Sequence, residues 1–443
     1  MPASVQDALR RRRRTQSRCG EPGHNGDSQP ASPTGTPTAF KIEDTDVSSS
    51  ALPAMAPTAE IIAFQVHVPQ AAVDDLKTRL AATRWPDQEL ADDWEQGVPR
   101  ERAQELIAHW RDAYDWRAFE ARINAFPQYK TTIDGLGIHF LHVRSKHPDA
   151  MPIVLTHGWP GSVVTFLNLI RPLTDPTAHG GRSTDAFHVV VPSLPGYGFS
   201  DRPLEPGWDR FRTARAWSAL MARLGYTRWV AQGGDWGATV THVLAQQRPN
   251  GLVAAHVNWP LVVPADQPAF STDEERDVYA DIARYADSRG RVAGYFRQQS
   301  TRPQTVAYGL TDSPVALATW LYEKYHDWTD HEGDSDALPT TEMLDDISIY
   351  WFTSTAGSAA RYYWENMHAA EPFSLDAGPI DLPMAATVFP KETIRPPRAW
   401  AERRWSRLIY WGTAPKGGHL AAWEQPAIFV DELRNAFRSI RDI

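Results

Sequence analysis

The sequence predicts an α/β protein: a mostly parallel central sheet with helices on both faces and a helical lid inserted before the last strands. Three observations predict it. Short apolar runs at 153–156, 187–192, 228–232 and 253–258 are each followed by turn residues and a helical stretch, the alternation of βαβ units. Residues 261–375 then drop that alternation and become helical and aromatic-rich, with Trp320, Tyr322, Tyr325 and Trp328 close together, before strand-like runs resume at 384–389 and 408–411. Lastly, the apolar Trp229-Val230-Ala231 leads into Gly233-Gly234-Asp235-Trp236-Gly237, the pattern of a strand turning sharply into a helix.

In chain order, residues 1–57 are rich in Pro, Ser, Thr, Gly and Asp with almost no aromatics, and are expected to be a disordered extension. An N-terminal segment follows at 58–128. Within it, 64–69 alternates like a short strand, and 73–80 places Val73, Leu76 and Leu80 on one helical face. Further helices are expected at 100–114, with Leu106, Ile107 and Trp110 together, and around 116–124. The first part of the sheet occupies 129–260 and opens with a hairpin, 129–133 and 136–143 flanking Asp134-Gly135. The lid takes 261–375. The second part of the sheet, 376–443, closes with a helix near 427–437.

Composition narrows the function. The 443 residues carry a formal charge of −9, with no basic excess to favour nucleic acid. One cysteine, Cys19, excludes an intramolecular disulfide framework and a cysteine zinc cluster. No run of about 20 apolar residues spans a membrane. Arg10 to Arg14 lack the apolar stretch of a secretory signal and read as a solvated tail. A soluble cytoplasmic enzyme is expected, with organellar import through the arginine-rich start as the alternative. Eighteen tryptophans suit core packing and an aromatic substrate cavity alike.

The chemistry centres on Asp235. The elbow holds the central side chain above the sheet, and a carboxylate there is already ionised at neutral pH. It can attack a saturated carbon directly, which points towards ring opening or displacement of a leaving group. A helix-capping aspartate is the plain alternative. His157-Gly158-Trp159-Pro160-Gly161-Ser162 follows the 153–156 strand and can bring the Trp159 backbone N–H beside that of Trp236 as an oxyanion hole. His419, in Gly417-Gly418-His419-Leu420-Ala421-Ala422 after the last strand, stands where a proton-accepting imidazole is needed. Glu392, after the penultimate strand, can hold that ring. Glu424 and Asp431 are its rivals, and a surface pairing with Arg395 or Arg398 is its plain alternative.

With these pieces assembled, the chain from about Ile61 onward resembles the microsomal-type epoxide hydrolases of the α/β-hydrolase superfamily. The likeness rests on Thr83-Arg84-Trp85-Pro86, Phe126-Pro127-Gln128, the His157 to Ser162 loop, Pro195-Gly196-Tyr197-Gly198-Phe199-Ser200, the Asp235 elbow, 389–392 and 417–422. It implies cofactor-free and metal-free hydrolysis of an epoxide to a diol through an aspartyl ester, with water as the second reactant. It also implies two lid tyrosines donating to the epoxide oxygen: Tyr295, and Tyr363 with Tyr362 as competitor. Trp236, Tyr295 and Tyr363 would contact substrate. The membrane anchor of vertebrate members is not expected here, and a homodimer is left open. A haloalkane dehalogenase, which also has Asp before Trp at the elbow, is the alternative reading. A non-catalytic binder on a hydrolase scaffold is the distant one.

Overall fold

A computed structural model describes residues 60–441, apart from 92–93, 265–269, 288–292, 334 and 372. The 1–57 extension, the arginine run and Cys19 lie outside the described residues. Among the described residues nine strands form one sheet: β1 (Ile61–Phe64), β2 (Gln128–Ile133), β3 (Leu136–Val143), β4 (Met151–Thr156), β5 (Phe187–Pro192), β6 (Trp229–Gly233), β7 (Leu252–Val257), β8 (Met384–Val388) and β9 (Leu408–Thr413). Their order is β1-β2-β3-β5-β4-β6-β7-β8-β9. β1 with β2, β2 with β3 and β3 with β5 pair antiparallel; from β5 to β9 in that order every pairing is parallel. The parallel strands carry Ile153 to Leu155, Val189 to Val191, Val230 and Ala231 at full burial, as a sheet covered on both faces requires.

Helices before the hairpin are α1 (Gln70–Ala81), α2 (Arg100–Asp112) and α3 (Trp116–Asn124). Each forms where apolar residues recur at helical spacing: α1 buries Val73, Leu76 and Leu80, and α2 buries Leu106, Ile107 and Trp110. Asp115 caps α3 by accepting the Arg117 N–H. The expected strand at 64–69 is corrected: the strand ends at Phe64. Beyond it Val66 exchanges both backbone bonds with the Asn124 side chain, and the Val68 N–H goes to Glu120. Side chains of α3 therefore take the backbone groups that a sheet neighbour would have used.

Crossovers supply α4 (Leu167–Thr174), α5 (Arg210–Arg223) and α6 (Trp236–Gln247). Between β7 and β8 the described residues hold α7 (Asp273–Asp287), α8 (Gly294–Thr301), α9 (Pro303–Asp312), α10 (Pro314–Asp327), α11 (Thr340–Thr353) and α12 (Ala356–Met367). The chain then closes through α13 (Arg398–Arg404), α14 (Ala421–Glu424) and α15 (Pro426–Phe437). Because β4, β6, β8 and β9 run parallel, the loops after them open on one edge of the sheet. There an α/β fold binds its ligands.

Candidate active site

Asp235 sits between β6 and α6 with φ +51° and ψ −127°, a conformation an L-residue adopts only when its surroundings impose it. Gly237 helps impose it: a Cβ there would stand 1.9 Å from the Thr156 carbonyl oxygen, so α6 could not lie this close to β4. The capping alternative is overturned, since the Asp235 side chain makes no bond to the helix it precedes. Its Oδ1 instead accepts the Trp159 N–H at 2.8 Å, and its Oδ2 lies 3.1 Å from His419 Nε2. Gly158 makes room for the carboxylate, because a Cβ would fall 2.1 Å from Oδ1. The Trp236 amide opens α6 and is among those a helix leaves without an intrahelical partner.

The loop after β4 is held from the helical insertion. Ser162 Oγ donates to Asp346 on α11, Tyr325 OH donates to the other Asp346 oxygen at 2.6 Å, and Tyr350 OH donates to the Gly161 carbonyl at 3.0 Å. Burial pushes the Asp346 carboxyl up to about 7, although the Ser162 and Tyr325 hydroxyls work against it. Sequence reasoning missed Asp346. Its only signal was an acid pair, Asp345-Asp346, inside an otherwise apolar helical stretch.

His419 Nδ1 binds Glu392 Oε1 at 2.6 Å, and the Glu392 side chain has no exposed surface. Burial pulls the imidazole down, but the Glu392 charge and the bond to Asp235 outweigh it, leaving the ring raised to about 10. Arg395 and Arg398 are engaged elsewhere, with the Pro390 carbonyl and Glu402, so the surface pairing of Glu392 is overturned. Of the rivals, Asp431 pairs with Arg434 on α15. Glu424 ends α14 rather than lying on the terminal helix, and it accepts backbone N–H groups instead of the imidazole.

Tyr363, Tyr295, Trp159 and Trp236 form an aromatic cluster over Asp235. The Tyr295 ring stacks on Trp159 at 5.0 Å, and the Tyr363 ring meets Trp236 edge-on at 4.8 Å and Tyr295 at 5.9 Å. Among the described residues, neither the buried Tyr363 OH nor the buried Trp236 Nε1 has a partner at hydrogen-bond geometry. Burial, then the charges of Tyr295 and Asp235, push the Tyr363 phenol well above its ordinary value, so it keeps its proton. Tyr362 also meets Trp236 edge-on, at 5.4 Å, but its hydroxyl donates to Thr213 at 3.1 Å. A cavity of about 30 Å³ touches Asp235, His419, Gly158, Thr165 and Asn258, room for a water.

Comparison with known proteins identifies the family. Residues 61–166 match the model for the epoxide hydrolase N terminus, and 151–313 match the alpha/beta hydrolase fold. The chain is 31% identical to epoxide hydrolase 1 of Sus scrofa over 86% of this chain and 89% of that one. A Stigmatella aurantiaca (strain DW4/3-1) protein, provisionally named an epoxide hydrolase, is 56% identical over 86% of each chain. The chain belongs to the epoxide hydrolase family. Among solved structures, Aspergillus niger epoxide hydrolase superposes with a TM-score of 0.74 at 32% identity, covering 87% of this chain and 97% of that one. Juvenile hormone epoxide hydrolase from Bombyx mori gives 0.78 at 28% identity, covering 87% and 96%. The protein is thus an epoxide-hydrolysing enzyme on an α/β-hydrolase fold, and the dehalogenase and binding-protein readings fall away. Among the described residues of this epoxide hydrolase, no helix is long and apolar enough to cross a membrane.

Proposed function

We propose that Asp235 opens the epoxide by covalent attack and that His419, held by Glu392, activates the water that releases the diol. One observation carries this reading: a single carboxylate accepts the Trp159 N–H on one oxygen and meets an imidazole, backed by a buried glutamate, on the other. In the proposed first step Oδ2 bonds to a ring carbon, the C–O bond breaks, and a phenol proton from Tyr363 or Tyr295 passes to the alkoxide. A neutral buried phenol suits that donation.

Esterification removes the Asp235 charge, one of the supports that keep His419 protonated. The ring then gives up its proton, which restores the phenol, and becomes a base. A water in the cavity beside Asp235 loses a proton to Nε2 and attacks Cγ. The oxyanion forms at Oδ1, where Trp159 N–H already points, with the Trp236 amide as the second donor. Collapse breaks the Cγ–Oδ2 bond, and the proton of the added hydroxyl passes to the departing oxygen. The diol leaves with an oxygen that began on the enzyme, and the carboxylate keeps one from water. Trp236, Tyr295 and Tyr363 would line the substrate.

A single turnover in ¹⁸O-water tests this: label is expected in Asp235, and label appearing first in the diol rejects the ester. His419→Gln should accumulate an intact-mass adduct equal to the substrate, whereas Asp235→Ala should lose both steps.

A further inference from the structure

Three successive backbone N–H groups of the loop that carries His419 point at acceptors. Gly417 N–H donates to Asp330 Oδ2 at 2.9 Å, Gly418 N–H to Glu424 Oε1 at 2.5 Å, and His419 N–H to the Trp328 carbonyl at 2.7 Å. Two of those acceptors belong to the turn after α10, in the helical insertion. The third, Glu424, spans both loops, because its Oε2 accepts the Asp330 N–H at 2.8 Å. From the opposite side, Lys391 N–H donates to the Gly417 carbonyl at 3.0 Å, next to the residue that grips the imidazole.

A loop with one such contact could pivot. Here every amide from 417 to 419 is committed, and the ring itself sits edge-on to Trp328 at 5.1 Å. Glu424 ties the histidine loop to the turn at 328–330 through two hydrogen bonds, one on each carboxylate oxygen. We infer that Glu424 is a positioning residue for His419: by bridging Gly418 and Asp330 it holds the imidazole where Nε2 can take a proton from the water that attacks the Asp235 carboxyl carbon. The inference rests on the proposal that His419 activates water, and it locates that function's support in the insertion as well as in Glu392.

Its consequence is selective. Ring opening uses Asp235 and the tyrosines, none of which Glu424 touches, whereas ester hydrolysis needs His419 in register, and a misplacement of about 1 Å costs roughly 100-fold. Glu424→Gln keeps the shape but turns an NH₂ towards one of the two N–H donors. In single-turnover experiments on the full chain with styrene oxide, alkylation should stay within about 2-fold of the parent while ester hydrolysis slows by about 10- to 100-fold, so the adduct accumulates in the mass spectrum. Asp330→Asn, which weakens the neighbouring anchor, should shift the same ratio in the same direction. It also serves if the first variant does not fold. Ester hydrolysis at the parent rate, or both steps slowed in equal proportion, overturns the inference. His419→Gln run alongside separates the failures: no adduct there sinks the proposed mechanism, whereas an adduct there but not with Glu424→Gln sinks only the role of Glu424.

Discussion

His419 lies between two carboxylates, and that placement governs how the protein responds to pH. The folded ring is raised to about 10, against about 6.5 for an unpaired imidazole. Its contribution to stability is therefore complete below about pH 6.5 and is lost as pH climbs through about 10. Urea unfolding of the parent and of His419→Gln should show a stability gap that narrows over that window. A gap that widens would mean that the ring is neutral in the resting site. The two adjacent tyrosines also part company at this scale. Tyr362→Phe removes a buried bond to Thr213, so about 1 kcal/mol of stability should go while alkylation is nearly unchanged. Tyr363→Phe should slow alkylation instead, and more so when combined with Tyr295→Phe, as rapid-quench measurement of ester formation would show.

At the level of elements, the strained corner depends on how closely α6 approaches β4. Gly237→Ala would set a methyl against the Thr156 carbonyl, which cannot swing aside as a side chain would. A loss of about 3 kcal/mol is expected, read from denaturant midpoints, together with weaker ester formation. Unaltered stability would show that α6 can slide. This corner was legible in the sequence, because an apolar strand, paired glycines and a central acid occur in one short stretch. The strand expected at 64–69 was not. Its alternating pattern was real, but Asn124 and Glu120, more than fifty residues away, claimed the backbone.

Across the whole molecule, the N-terminal segment fastens the helical insertion as well as the sheet. Trp110 Nε1 donates to Ser348 at 3.0 Å, Tyr114 OH to Asp345 at 2.9 Å, and Arg102 reaches Asp336 at 3.1 Å. Arg122 pairs with Asp345 as well. These contacts join α2 and α3 to α11, which bears Asp346 and Tyr350, and to the stretch just before it, and so to the loop presenting Trp159. Trp110→Ala should cost about 3–5 kcal/mol and Trp110→Phe about 1 kcal/mol, measured by urea unfolding. Diol formation should fall in step with the first. Equal losses for both variants would assign the effect to the Ser348 bond instead of to packing.

The sequence by itself determined the parallel sheet, the order of its loops, the acid at the elbow and the histidine after the last strand. Each is written in a short window of periodicity and turn chemistry. Only the tertiary structure decided which partner each group meets. Glu392 rather than Glu424 holds the imidazole, Tyr362 rather than Tyr363 bonds Thr213, and Asp346 clamps the loop that presents Trp159. Adjacent tyrosines on a helix point about 100° apart, and Glu424, the acid nearer His419 in sequence, serves backbone N–H groups while the more distant Glu392 reaches the ring. Such choices follow from the packing of residues distant along the chain, and no local pattern records them.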